Sequence, residues 1–330
     1  MKTDIDFVIP WVDGSDPEWL KEFARYHTAD KYIDASPSRY RDWDYLRYWF
    51  RAVERFAPWV RRVHFITWGH LPQWLNIGYP NLNVVRHEDF IPHEYLPVFS
   101  SHPIELLMHH IKGLSERFVY FNDDMFLGRP VTPDRFFRCG LPCDTARLGA
   151  IAAGSISHII MNNVEIINCR HDKKKAIKRH PGKWFNRRYS AIDMFKTLTL
   201  MPWDFFPGFK DPHMPQPFLR STFEKLWTEE KEKLFGTLSR RFRSLLDHSQ
   251  YLMRYEQLAT GCFAPVSYRD TRLDLLGDEN IDEICSYIQT YKYAMFCLND
   301  SDAIKDFEKV KKQLLAAFEY ILPEKCNYEL

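Results

Sequence analysis

The sequence has almost no net charge: 45 Lys and Arg stand against 44 Asp and Glu, leaving +1 over 330 residues. Bulk, sequence-independent nucleic-acid binding needs a basic excess to displace counterions from phosphates, and the near-neutral charge argues against it. No uninterrupted apolar run approaches the ~18 residues that a bilayer-spanning helix needs. The start, MKTDIDFVIPWV, puts Asp4 and Asp6 where a signal peptide would carry a basic segment followed by an apolar one. A cytosolic, globular chain is expected.

Cysteine is scarce and scattered. The seven, at 139, 143, 169, 262, 285, 297 and 326, make no CxxC pair and no zinc-type Cys/His spacing. Cys139 and Cys143 alone are too few ligands, so reduced and mostly buried thiols are the expectation. Internal repeats, low-complexity tracts and flexible linkers are lacking too. What the chain does hold is apolar and aromatic mass, 45% and 16% of its residues. That excludes a disordered chain and allows one large domain or two smaller ones.

Four short runs rich in Val, Ile and Phe read as buried strands: Ile5–Val12, Val63–Thr67, Leu82–Val85 and Phe118–Phe121. A helix is predicted over Asp42–Pro58, where Leu46, Trp49, Phe50, Val53 and Phe56 share a face. A shorter one follows over Pro103–Ile111, and a last one carries Phe307, Val310, Leu314, Ala317, Phe318 and Ile321 before Pro323. Strand–loop–helix–strand order predicts an α/β sheet with ligands beyond the carboxyl ends of its strands. Three of the four loops that follow the strands carry carboxylates.

Asn122-Asp123-Asp124 closes the fourth strand, and paired carboxylates there suit a hard divalent cation against a diphosphate. Capping of the next turn is an equal reading of so short a string. Asp13-Gly14-Ser15-Asp16-Pro17, after the first strand, offers amides to phosphate or ribose, or is an ordinary turn. His213 lies between Pro212 and Pro215, where a stiff backbone presents an imidazole suited to general-base work or simply holds a structural histidine. Arg243, in Arg240-Arg241-Phe242-Arg243, could clamp phosphate oxygens or sit on a solvated face. Arg170–Arg188 holds nine Lys/Arg and one Asp, read first as a solvated face and then as a contact for an anionic polymer, a lipid surface or phosphate.

Across the whole chain this pattern resembles the Stealth family of sugar-phosphate transferases, which includes bacterial capsule and exopolysaccharide phosphotransferases. The catalytic part of the eukaryotic enzyme that places N-acetylglucosamine-1-phosphate on lysosomal glycoproteins is similar. Four signature blocks stand in order. The first is Ile5 to Pro17. The second runs from Tyr40-Arg41-Asp42-Trp43-Asp44 through Phe99-Ser100-Ser101-His102-Pro103-Ile104-Glu105 to Asn122-Asp123-Asp124-Met125-Phe126-Leu127-Gly128. The third extends from His213-Met214-Pro215 to Phe242-Arg243. Cys297-Leu298-Asn299-Asp300, with the last helix and Leu322-Pro323-Glu324-Lys325, makes the fourth. Two positions depart from the family habit: Ser100, where Asn is frequent, and His110, where Arg is frequent.

The resemblance implies a Rossmann-like, glycosyltransferase-A-like α/β sheet that binds a nucleotide sugar, with a helical C-terminal half completing the site. One catalytic domain spans 1–330: a nucleotide-sugar part at 1–130, a variable basic insertion at 131–210 and a mostly helical part at 211–330. The implied reaction moves a hexose-1-phosphate, by family default N-acetylglucosamine-1-phosphate, from a UDP-sugar to a hydroxyl of a capsular or exopolysaccharide acceptor, releasing UMP. Asp123, Asp124, Asn299 and Asp300 would hold Mg²⁺ or Mn²⁺. His213 would be the base, with an aspartate second in line, and Arg243 would steady the attacked phosphate. Asp13, Gly14, Ser15, Arg41, Asp44, Arg47, His102 and Glu105 would bind substrate. The acceptor would be a glycan or lipid-linked glycan, met at the inner face of the cell membrane by peripheral association. A metal-dependent glycosyltransferase releasing UDP and a non-catalytic glycan-binding protein are the competing readings.

Overall fold

A computed structural model describes residues 4–27, 41–154 and 156–330; Tyr40, which opens the second block, lies outside them. In chain order come β1 (Ile5–Trp11), α1 (Pro17–Tyr26), α2 (Leu46–Phe56), β2 (Arg62–Thr67), β3 (Leu82–Arg86), α3 (Ser101–Leu107), β4 (Arg117–Tyr120) and β5 (Met125–Leu127). The middle holds β6 (Phe137–Arg138), β7 (Leu141–Asp144), α4 (Ser157–Arg170), α5 (Lys173–Arg179), α6 (Pro181–Trp184) and α7 (Ala191–Thr199). Then follow β8 (Gln216–Leu219), α8 (Arg220–Glu229), α9 (Lys231–Leu238), α10 (Tyr251–Thr260), β9 (Ala264–Pro265), β10 (Thr271–Leu275), α11 (Ile281–Gln289), β11 (Met295–Asn299) and α12 (Phe307–Ile321).

The main sheet has the order β3-β2-β1-β4-β8. Its first four strands are the four apolar runs and are parallel; β8 joins β4 antiparallel at the edge. Period-two alternation sends Ile5, Phe7 and Ile9 into a core with α2, α11 and α12, and Val8 into a second core with α3, α8 and α10. Both faces are therefore covered, which is why these strands read as continuous apolar runs rather than as alternating ones. Sequence-distant helices share the first core because α2 is buried nearly all round. Even its Arg51 is inside, with a two-pronged pair to Glu329 at 2.7 and 2.9 Å that fastens the C-terminal tail to α2.

The section from 211 onward, expected to be mostly helical, has α8 to α12 over fewer than half of its residues and supplies strands that the sequence pattern did not announce. A second sheet has the order β10-β11-β5, with β10 and β11 parallel and β11 antiparallel to β5. Its strands are three to five residues long, too short to give a periodic signal on their own. Two of these pairings build the site. In the main sheet Gln216 pairs with Tyr120, so the turn before β8 is carried to the end of β4. In the second sheet Cys297 pairs with Met125, and Leu298 N donates to Asp124 O at 2.9 Å, which lays the end of β11 along Asn122–Asp124.

Candidate active site

These pairings surround a cavity of about 900 Å³ at the carboxyl ends of β1 and β4. Asn122, Asp123 and Asp124 line it from the β4–β5 turn, Asp211 and His213 from the segment before β8, and Asn299 and Asp300 from the end of β11. Arg243, Arg41, Ser100 and Ser101 complete its polar wall; Trp11, Trp43, Tyr45 and Phe99 give it apolar surface. A parallel sheet opens its ligand crevice at this edge.

His213 Nε2 lies 3.9 Å from Asp124 Oδ2, and its Nδ1 shares a 3.3 Å hydrogen bond with the Tyr251 hydroxyl. The backbone at His213 is left-handed, with φ of 48°. A residue with a Cβ stays there only when its surroundings hold it. Those surroundings are Pro212 and Pro215 on the chain and Tyr251 on the ring. Two residues upstream, Asp211 accepts from Tyr255 Oη at 2.7 Å and from Arg254 Nη1 at 2.8 Å. Arg254 is wholly buried and turns its other edge to Asp144, at 2.7 and 2.9 Å. The loop that presents His213 is thus moored to an ion network in the core. Burial lifts the Asp211 carboxyl to about 6, against the opposing pull of Arg254 and Tyr255.

Burial, and then the charge of Asp124, push the Asp123 carboxyl up to about 7. Asp124 is likewise raised by burial, with His213 pulling the other way. Two adjoining carboxylates repel each other and favour protonation unless a cation joins them. One oxygen, Asp124 Oδ1, is buried with no hydrogen-bond partner. These oxygens, with the Asn299 amide beside them, fit a hard divalent cation. A third donor type adjoins: ligand atoms of Asp124, His213 and Cys297 all lie within 4.8 Å of one another. The Cys297 thiol, though, is driven well above its ordinary range by burial and by Asp124. It lies 3.9 Å from Asn299 Oδ1, placed as a neutral donor toward the carboxamide.

Other residues singled out from the sequence stand around the cavity or away from it. Asp13 is taken up in its own turn, accepting from Ser15 N and Ser15 Oγ at 2.8 and 2.6 Å, while its amide donates to His70 Nε2 at 2.7 Å. Asp13, Gly14 and Ser15 do not line the cavity themselves; Pro10, Trp11 and Val12 before the turn and Trp19 after it do. Asp300 receives the Trp43 indole N–H at 3.1 Å and pairs with Arg41 at 3.5 Å. Asp44 points outward to Lys311, and Arg47 lies over the Trp74 ring. His102 is buried against Asp247 at 3.0 Å. Glu105 is buried as well, accepting from Tyr120 Oη and Gln250 N at 3.3 Å each. These last two sit behind the wall that Ser100 and Ser101 form. The sequence assigned no site role to Asp211, Tyr251 or Cys297, although Asp211 stands two residues before His213 and Cys297 two before Asn299.

Residues 3–31 match Stealth protein CR1, conserved region 1, and residues 39–143 match Stealth protein CR2, conserved region 2. The capsular polysaccharide phosphotransferase WcwK of Streptococcus pneumoniae is 37% identical over 330 residues, covering 98% of each chain. This chain belongs to the Stealth family. The exopolysaccharide phosphotransferase cps2G of Lactiplantibacillus plantarum is 41% identical to this Stealth chain over 333 residues, 99% of this chain and 96% of that one. Both relatives are named as polysaccharide phosphotransferases, and the Stealth chain is a transferase. Among solved structures, the galactosyltransferase LgtC with donor and acceptor sugar analogues overlaps 94% of this chain and 95% of that one, at 10% identity and a TM-score of 0.35.

Proposed function

We propose that this Stealth transferase moves a hexose-1-phosphate, N-acetylglucosamine-1-phosphate in the first instance, from a UDP-sugar to a hydroxyl of a capsular or exopolysaccharide acceptor and releases UMP. The observation that carries the reading is the meeting of Asp123, Asp124, His213, Arg243, Asn299 and Asp300, from four separate stretches of chain, on one cavity. That is the set a phosphoryl transfer needs: carboxylates for a cation, a guanidinium for phosphate oxygens, and an imidazole within reach of an attacking hydroxyl.

Asp123 and Asp124, with Asn299, would hold Mg²⁺ or Mn²⁺, which when bound offsets the negative charge of the donor diphosphate. Asp300 is engaged by Trp43 and Arg41 and serves as the brace of that wall. Arg243, whose Nη2 donates to Ser101 Oγ at 3.4 Å, steadies the phosphate next to the sugar. His213 accepts the acceptor's proton at Nε2 while Tyr251 holds Nδ1 and so fixes the ring. The acceptor oxygen bonds to phosphorus, and the bond from that phosphorus to the UMP oxygen breaks. The sugar C1–O bond is untouched, so the anomeric configuration of the donor is retained. The Trp11, Trp43 and Tyr45 side of the cavity supplies apolar surface for the sugar and the base.

The test is the nucleotide released when purified protein, Mg²⁺ or Mn²⁺, UDP-N-acetylglucosamine and a glycan acceptor are combined. UMP with phosphate retained in the product supports the reading. UDP with a phosphate-free product means that attack falls on the sugar carbon and the chain is a glycosyltransferase proper.

A further inference from the structure

The helix α7 is built inside out. Two of its polar side chains face the protein: Asp193 pairs with Arg147 at 3.3 Å and Lys210 at 3.6 Å, and buried Thr197 accepts from Leu148 N at 3.2 Å. Its apolar ones face water, with Ile192 67% exposed, Phe195 65% and Leu198 58%. The turn that follows adds Trp203 at 58% and Phe205 at 68%. Five large apolar side chains, two of them in full helical register with a third, are not the scattered exposure that any surface shows.

Cations surround this patch. Lys173 donates to Leu200 O and Met201 O at 2.8 and 3.2 Å, and Lys174 pairs with Asp204 at 2.6 Å, so the start of α5 is docked on the turn after α7. Lys174, Lys175, Lys178 and Arg179 are exposed on α5, Arg187 and Arg188 just ahead of the Ser190 cap, and Lys196 on α7 itself. Against these seven the stretch from 171 to 205 exposes only two carboxylates, Asp172 and Asp204. The rest of the basic run is structural: Arg170 is held by Glu229, Glu230 and Glu256, and Lys183 by the carbonyls of Gly261 and Phe263.

We propose that α7 and the 200–205 turn form a membrane-docking face that inserts Ile192, Phe195, Leu198, Trp203 and Phe205 into the headgroup boundary of an anionic bilayer, with the α5 and Arg187–Arg188 cations on the lipid phosphates. An anionic polymer would use the cations and leave five apolar groups in water; a protein partner chosen for the apolar groups would gain nothing from the cations. A bilayer rich in acidic lipid takes both at once. Among the described residues no helix is long and apolar enough to cross a membrane, so attachment through this face is peripheral. The face adjoins the site through Lys210, which holds Asp193 and stands three residues before His213.

The face can be tested without donor or acceptor, so its failure and that of phosphate transfer are separate results. Purified protein is sedimented with vesicles of equal parts phosphatidylglycerol and phosphatidylcholine, and with phosphatidylcholine alone. Binding to the acidic vesicles only, weakening as salt is raised, is the expected result. Phe195→Ser with Trp203→Ser, and separately Lys175→Glu with Lys178→Glu, should each weaken it by about tenfold or more, with melting temperature and donor turnover unchanged because every altered side chain faces water. Equal partition to both vesicle types, no partition, or variants that bind like the parent would overturn the proposal. So would sedimentation equilibrium showing that Phe195→Ser with Trp203→Ser turns a dimer into a monomer, which would give the face to a second copy of the chain.

Discussion

Arg254→Met separates the mooring of the His213 loop from the chemistry of the site. The Arg254 guanidinium is fully buried and satisfies both oxygens of Asp144, itself buried, while a third nitrogen holds Asp211. Methionine fills much of the same volume, so the loss is chiefly electrostatic: Asp144 keeps only Thr145 N at 2.7 Å and the Gln216 amide at 3.3 Å. Leaving a buried carboxylate without its partner costs about 3–5 kcal/mol. For a chain of 330 residues, an unfolding entropy of about 2.1 cal/mol/K per residue gives roughly 0.7 kcal/mol/K, so Tm should fall by about 4–7 °C. Adding Asp144→Asn removes the stranded charge and should restore most of that loss, because the damage lies in the unpaired ion rather than in the missing pair. Asp211→Asn leaves the Arg254–Asp144 pair intact and should cost only about 1 kcal/mol, yet it loosens the cavity wall and should slow turnover. Thermal melts by circular dichroism read all three. An Arg254→Met protein that melts within about 1 °C of the parent, or a double variant no better than the single one, would refute the mooring.

Other expectations are simpler. His213→Ala should fold normally and lose about 10²–10⁴ in kcat for UMP release; a rate within a few-fold of the parent would hand the proton to an aspartate. Asp124→Asn should abolish turnover, and a chelator should do the same to the parent protein, with Mg²⁺ or Mn²⁺ restoring activity to the parent alone. Glu256 provides a pH prediction far from the cavity. Burial would raise its carboxyl, but hydrogen bonds from His171 and Arg170 outweigh that and hold it at about 2, below its ordinary 4.5. A depressed carboxylate stabilises the fold fully above its unfolded pKa and loses that contribution as pH falls toward the folded one. About 3 kcal/mol should therefore disappear between pH 4.5 and 2. Glu256→Gln should flatten that part of the acid denaturation curve; an unchanged slope would show that Glu256 is not what titrates there.

What could be read from the chain follows from what each residue touches. β1 to β4, α2 and α12 were legible because burial on a broad face leaves a run or a helical stripe in the sequence. The strands β8, β10 and β11 were not, since a segment such as Met295–Asn299 becomes a strand only through the pairing partners it meets. Asp123, Asp124, His213 and Arg243 reach the cavity because each sits in a turn, or close to one, that the sheets aim there. Arg47 and Glu105 come from helices, and a helix chooses one face for its neighbours. α2 turns Arg47 toward Trp74, and α3 turns Glu105 inward to Tyr120. Sequence proximity to a signature could not reveal that choice.

The same reasoning explains why the chain's end is needed at its beginning. Asp123 and Asp124 alone are two repelling carboxylates with one unpartnered oxygen. β11 brings Asn299 and Asp300 to that turn by pairing with β5, and the tail that follows α12 is fastened to α2 through Arg51 and Glu329. β8 brings His213, and Arg254 helps to hold that segment through Asp211. Each half of the site is braced by a buried guanidinium, Arg51 on one side and Arg254 on the other, that does not itself line the cavity. A change at Glu329 or Arg254 should therefore disturb turnover while touching no substrate.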